Sequence, residues 1–254
     1  MLNPNEHILA LDFDGVIGNS VHECLVVSFN AFYYPNQGII VKSVAELDAN
    51  LVREFTRIRN YIRSGADFMY ILMALRDNIV ISGQQDFDDY TRQHSELHDK
   101  YFKDFYRVRE TLSVEHFDLW LELNPFYEGM GEYLAGYPVK DSLYIITTKK
   151  IEYVIKLLSY HHIELVEGNL FTADKNKGKR QVLMDIMTKH RKSPDKVWYI
   201  DDQIDTLLKI YDSGVRCQMA LWGYNNAEQL GTAEKANIPA LTLDKFRKLF
   251  DYTA

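Results

Sequence analysis

The chain has 254 residues, of which 46% are hydrophobic and 26% charged, a globular composition that excludes intrinsic disorder, a collagen repeat and a disulfide-stapled scaffold. Its formal net charge of −7 argues against a broad surface that tracks nucleic-acid phosphates, yet is compatible with a small anionic ligand held by a few local cations. No run approaches the roughly 20 apolar residues needed to cross a bilayer, residues 1–6 lack a basic leader region, and Cys24 and Cys217 have no metal-binding spacing, so the expectation is a cytoplasmic protein with free thiols and no membrane partner.

In chain order, residues 7–13 (HILALDF) form a short apolar run that ends in acids and Gly15, the pattern of a buried strand meeting a turn. The period then changes. Leu51, Val52, Phe55, Ile58 and Ile62 share one helical face, and Phe87, Tyr90, Leu97, Tyr101, Phe105 and Val108 repeat at threes, fours and sevens, which predicts a helical insertion over about residues 19–124. It closes near Asn124 and Pro125, because a proline disfavours helix at the residue before it. Strand-length apolar runs return at 143–147 (LYIIT), 197–200 (VWYI) and 215–221 (VRCQMAL), with amphipathic helices at 151–162 and 180–190 between them. Such alternation predicts a doubly wound α/β fold, a parallel sheet with helices on both faces.

Ligands in such sheets sit beyond the carboxyl ends of the strands, and the polar residues there form four clusters. In Asp12-Phe13-Asp14-Gly15 two carboxylates alternate about one aromatic, so an extended backbone would point both to one face. Their repulsion calls for a hard cation with oxygen ligands, for which Mg²⁺ is suited, with Gly15 permitting a sharp turn. In Thr147-Thr148-Lys149 a hydroxyl and the amides opening the next helix can hold anionic oxygens; alone, Thr147 would read as a strand end and Lys149 as solvated. Residues 174–180 (DKNKGKR) crowd cations into an acidic chain. One of these lysines can neutralise a bound phosphate, and Lys179, at a helix start, is better fixed than Lys175 or Lys177. Asp201, Asp202 and Asp205 follow a buried strand, where three acids are costly unless a cation or donors face them. Capping of a helix starting near Gln203 accounts for one of the three.

Other features have plainer readings. His94 and His98 stand four apart on an expected helix, a spacing able to bind zinc, but without a third ligand they read as surface or packing residues. His161 and His162 end a helix whose dipole favours their charge. Arg53, Arg57, Arg59 and Arg63 read as a solvated face.

Taken in order, the four clusters resemble the haloacid dehalogenase (HAD) superfamily, mostly phosphatases despite the name. The resemblance covers residues 7–20 and about 125–225, and the middle is similar only in being a helical cap inserted after the first motif. It implies a HAD-like, Rossmannoid core over residues 1–18 and 125–254 and a cap over 19–124. Residue by residue, it implies a nucleophile at Asp12, an acid/base at Asp14, the hydroxyl position at Thr147 and the lysine position at Lys179, with Lys177 as an alternative spacing. Gly15, Thr148, Lys149 and Lys177 are then expected around the phosphate, Thr148 standing where relatives often have asparagine. Mg²⁺ would be held by Asp12, Asp14 through its carbonyl, and Asp201 or Asp202. The chain departs from the commonest final motif, Gly-Asp-x-x-x-Asp, by its Asp-Asp pair, so which of Asp201, Asp202 and Asp205 meets the metal stays open. Trp222-Gly223-Tyr224-Asn225 is similar to a string in a subgroup of the superfamily; aromatic packing before a glycine turn explains it as well as substrate contact does.

A carboxylate two residues after the nucleophile separates phosphatases from dehalogenases, since an ester oxygen must be protonated as it leaves and a halide need not be. The expected activity is Mg²⁺-dependent hydrolysis of a small organic phosphate monoester through an aspartyl phosphate. A phosphomutase is one alternative. A non-catalytic metabolite-binding or regulatory relative is another, whose mark would be a missing nucleophile or acid; both are present.

Overall fold

The computed structural model describes residues 3–174 and 176–250. In chain order the elements are β1 (Ile8–Leu11), α1 (Val21–Tyr33), α2 (Ala49–Ile58), α3 (Asp67–Arg76), α4 (Gln84–Gln93), α5 (His98–Glu115), α6 (Phe117–Glu122), α7 (Met130–Gly136), β2 (Leu143–Thr147), α8 (Ile151–Tyr160), β3 (Leu170–Thr172), α9 (Lys179–His190), β4 (Val197–Asp201), α10 (Ile204–Tyr211), β5 (Arg216–Ala220), α11 (Ala227–Lys235), β6 (Ala240–Leu241) and α12 (Leu243–Leu249). They divide into two compact units, one running to Asn19 and resuming at Phe126, the other Ser20–Pro125.

The first unit is a parallel sheet in the order β3-β2-β1-β4-β5-β6. Three of its four inner strands, β1, β2 and β4, are buried throughout, as unbroken apolar runs must be when helices cover both faces. One face presents Ile8, Ala10, Ile146, Val197 and Tyr199 to a core that includes Val182 and Ile186 of α9 and Leu207 of α10. On β4 the neighbouring Trp198 meets Phe250 edge-on at 5.4 Å. β3 and β6 lie outside the strands expected from the sequence; they are edge strands of three and two residues, only partly buried, too short for any alternation to register. The path into and out of the second unit is closed by an antiparallel bridge between Gly18 and Phe126 and by the Tyr127 N–H donating to the Ile17 carbonyl at 2.9 Å.

Among the described residues of the second unit the regular elements are all helices. Phe55, Phe68 and Phe105 stack in a row, with centroids 5.9 and 5.3 Å apart. Fully buried Glu23 on α1 accepts a bidentate pair from Arg109 on α5 at 2.8 and 2.7 Å. The helix expected to carry both His94 and His98 is broken, since α4 ends at Gln93 and a 3-10 turn over Ser95–Leu97 precedes α5. His94 and His98 lie near Glu96 and Asp99 instead. The arginine row is not one solvated face either: Arg59 is buried with its guanidinium 5.3 Å from the Phe68 ring. Among the described residues no helix is long and apolar enough to cross a membrane, and Cys24 and Cys217 are buried and form no disulfide.

Candidate active site

Strand order reverses at β1: the chain builds outward through β2 and β3, then returns to the other side of β1 with β4. Residues just past β1 and β4 therefore flank the switch point where doubly wound sheets open a crevice. Register brings acids together there. Leu11 pairs with Ile200, and the Asp12 N–H continues the ladder to the Ile200 carbonyl at 2.9 Å, which sets Asp12 beside Asp201.

The strand stops at Leu11, so extended alternation does not place Asp12 and Asp14; a tight loop does. The Phe13 carbonyl accepts from the Ile17 and Gly18 N–H groups at 2.8 and 2.9 Å, and the Gly15 N–H donates to the Gly18 carbonyl at 2.9 Å. Gly15 has φ +88°, and a Cβ there would fall on the Asp202 carboxylate, two independent demands for glycine. Within this loop Asp12 Oδ1 accepts the Phe13 N–H at 2.8 Å.

Lys179, the first residue of α9, bridges two carboxylates: its Nζ lies 2.9 Å from Asp12 Oδ2 and 2.8 Å from Asp201 Oδ2. Asp201 is fully buried. It also accepts the Tyr199 hydroxyl at 2.6 Å and the Gln203 N–H at 2.8 Å, so its side chain both satisfies the start of α10 and orients the lysine. Tyr199 is absent from the residues expected at the site, although its place two residues before Asp201 on one strand puts both on one face. Asp202, equally buried, accepts the Tyr224 N–H at 2.7 Å.

The charges of this cluster are mutually perturbed. Burial raises the Asp12 carboxyl pKa and the Asp201 charge adds to that, while Lys179 pulls against both. For Lys179 itself burial favours the neutral amine, but Asp12 and Asp201 together hold it charged, with a pKa above the usual lysine range. Burial and the Asp201 charge likewise keep the Tyr199 phenol protonated and donating.

From the other side of β1, the buried Thr147 ends β2, and its Oγ1 accepts the Lys149 N–H at 3.0 Å. Lys149 is not solvated. It is 6% exposed, its Nζ lies 3.0 Å from Asp14 Oδ1, and it sits 5.9 Å from the Phe13 ring centroid. Thr148 is exposed. Lys177 is not drawn to the acids and pairs with Asp185 at 2.6 Å on α9; Lys175 lies outside the described residues. Asp205 is half-buried in the first turn of α10. His161 packs on the Phe126 ring at 4.0 Å, and burial lowers its pKa, so the expected helix-end charge is disfavoured there.

Asp12, Asp201 and Asp202 each offer a carboxylate oxygen, and the three oxygens lie within 4.8 Å of one another. An all-oxygen set of this kind, buried and with a raised carboxyl pKa, suits a hard divalent cation such as Mg²⁺ better than a softer metal. Among the described residues no other group of three or more histidine, cysteine or acidic side chains comes together in this way. The residues present fit the ion.

Comparison with known proteins agrees with the fold. Residues 143–238, less than half of the chain, match a family described as "Protein of unknown function (DUF2608)", and no curated protein matches. Among solved structures, a "predicted phosphoglycolate phosphatase" from Haemophilus somnus aligns over 100% of both chains at 16% identity with a TM-score of 0.59. A HAD family hydrolase from Deinococcus radiodurans, holding phosphate and sodium, aligns over 97% of this chain and 96% of that one at 14% identity and 0.58. A haloacid dehalogenase-like hydrolase from Streptococcus pneumoniae covers 96% of both at 15% and 0.52.

Proposed function

We propose that this chain, which has the haloacid dehalogenase-like fold, a Rossmannoid parallel sheet carrying an inserted helical segment, is a Mg²⁺-dependent phosphatase acting on a small organic phosphate monoester through an aspartyl phosphate on Asp12. The observation that carries this reading is Asp12 itself, buried past β1, held by Lys179 and within ligand distance of Asp201 and Asp202. The phosphatase and hydrolase names of the structural relatives support it.

Asp12, Asp201 and Asp202 would hold the ion through carboxylates and Asp14 through its carbonyl. When bound, Mg²⁺ offsets the repulsion between an anionic nucleophile and an anionic substrate. The Asp12 carboxylate attacks phosphorus as the ester P–O bond breaks. Asp14 gives its proton to the departing oxygen, then takes one from the water that cleaves the acyl phosphate, which restores Asp12 and releases inorganic phosphate. Lys179 and the Thr147 hydroxyl donate to phosphoryl oxygens. Lys149, paired with Asp14, is placed to follow that carboxylate toward the incoming anion.

Asp12→Asn should abolish hydrolysis of p-nitrophenyl phosphate while circular dichroism stays native; retained activity in that variant would remove Asp12 as nucleophile. EDTA should silence the wild-type chain and Mg²⁺ restore it. Turnover by metal-free protein would exclude the role given to the three acids.

A further inference from the structure

The loop that follows β5 reaches back to the loop that follows β1 at two points and to Asp202, just past β4, at a third. The Trp222 Nε1–H donates to the Val16 carbonyl at 2.9 Å. The Tyr224 N–H donates to Asp202 Oδ2 at 2.7 Å, and the Tyr224 hydroxyl to Asn19 Oδ1 at 3.1 Å. Between these donors, Gly223 lies so close that a Cβ would strike the Asp202 side chain and the Gly15 carbonyl. Trp222 is only partly exposed, with its ring 5.6 Å from Phe246, and Tyr224 is buried.

We infer that Trp222 and Tyr224 are positioning residues that pin the Asp12–Asn19 loop and Asp202 in one register, so that the nucleophile, the acid/base and the last acid form a rigid unit. Two side-chain donors and one amide, spaced along three consecutive residues, secure Val16 and Asn19 on the C-terminal side of Gly15 and Asp202 beyond β4. That glycine is the weak part of the loop, being in a left-handed conformation and free of side-chain restraint. Asp14 lies between Asp12 and Val16, so the Val16 anchor limits how far its carboxylate can drift from a leaving oxygen. The reading extends the proposed phosphatase mechanism, but its primary test does not depend on it.

The test is amide hydrogen exchange on the full chain, comparing wild type with Trp222→Phe and Tyr224→Phe, each of which keeps an aromatic ring and deletes one donor. The loop amides of Val16, Ile17 and Gly18, which donate to Phe13, should exchange about tenfold faster or more in Trp222→Phe, with the amides of β2 and β4 unchanged. Tyr224→Phe should loosen the end of the loop near Asn19. For p-nitrophenyl phosphate, kcat should fall about tenfold or more in Trp222→Phe with KM within about twofold, as expected when a reacting group is misplaced while substrate binding is preserved. Unchanged loop exchange in both variants, or acceleration spread equally over the sheet, would overturn the inference. So would faster loop exchange with undiminished kcat. A wild-type chain without phosphatase activity would defeat the proposed function instead, and exchange alone would then decide whether the clamp exists.

Discussion

Two lysines two residues apart have opposite fates. Lys179 opens α9 and lies between Asp12 and Asp201 with only 10% of its side chain exposed, whereas Lys177 pairs with Asp185 at the surface with 46% of its side chain exposed. Lys179→Ala should lower turnover by about 10²–10³, the usual cost of deleting one donor to developing charge. Lys177→Ala should stay within about twofold, since an exposed pair contributes little. Parallel kinetics on the two variants, with phosphate release as readout, checks the difference. Gly223→Ala should weaken Mg²⁺ binding in calorimetry, because the added methyl displaces Asp202. At this scale the acids and lysine of the cluster were legible, since strand ends and a helix start are where such residues are held. The burial of Lys149 was not: its partner Asp14 lies 135 residues away, and no local pattern of Thr-Thr-Lys distinguishes a buried ammonium from a solvated one.

At the scale of elements, the long inner strands were visible as continuous apolar runs, and the two edge strands were not because hydrogen bonding alone defines them. The α4–α5 break escaped for a different reason. Tyr90, Tyr101 and Phe105 are all buried, so the apolar spacing runs on through a turn that no proline or glycine marks. Glu23 is the other surprise, an acid with no exposure on the buried side of α1, explained by Arg109 on α5 and invisible without it. Arg109→Met should destabilise the chain by about 3–5 kcal/mol by stranding a buried carboxylate, and Glu23→Gln in the same chain should recover part of that loss. Urea titration of the single and double variants gives the comparison.

At the scale of the molecule, the sheet order and the acids past β1 and β4 are one fact seen twice: reversal of the winding direction puts sequence-distant strand ends side by side. The parallel sheet and the helical insertion followed from the change of hydrophobic period along the chain, whereas the β5 loop's hold on the β1 loop did not, because Trp222 and Tyr224 meet partners about two hundred residues upstream. The sheet unit has its own buried cluster, so joining Asn19 to Phe126 through a short glycine-serine linker should yield a protein that still melts cooperatively, measured by circular dichroism.

The bridge between Gly18 and Phe126 also bears on the order in which the chain becomes structured. For a flexible excursion of this length, bringing those two points together costs about 4 kcal/mol of closure entropy. If helices organise the excursion first, much of that cost is met locally before β1 seeks its neighbours. Pulsed exchange labelling during refolding should therefore show protection in α1 and α5 ahead of β1, and simultaneous protection would mean that the central strand is recruited without a preformed tether.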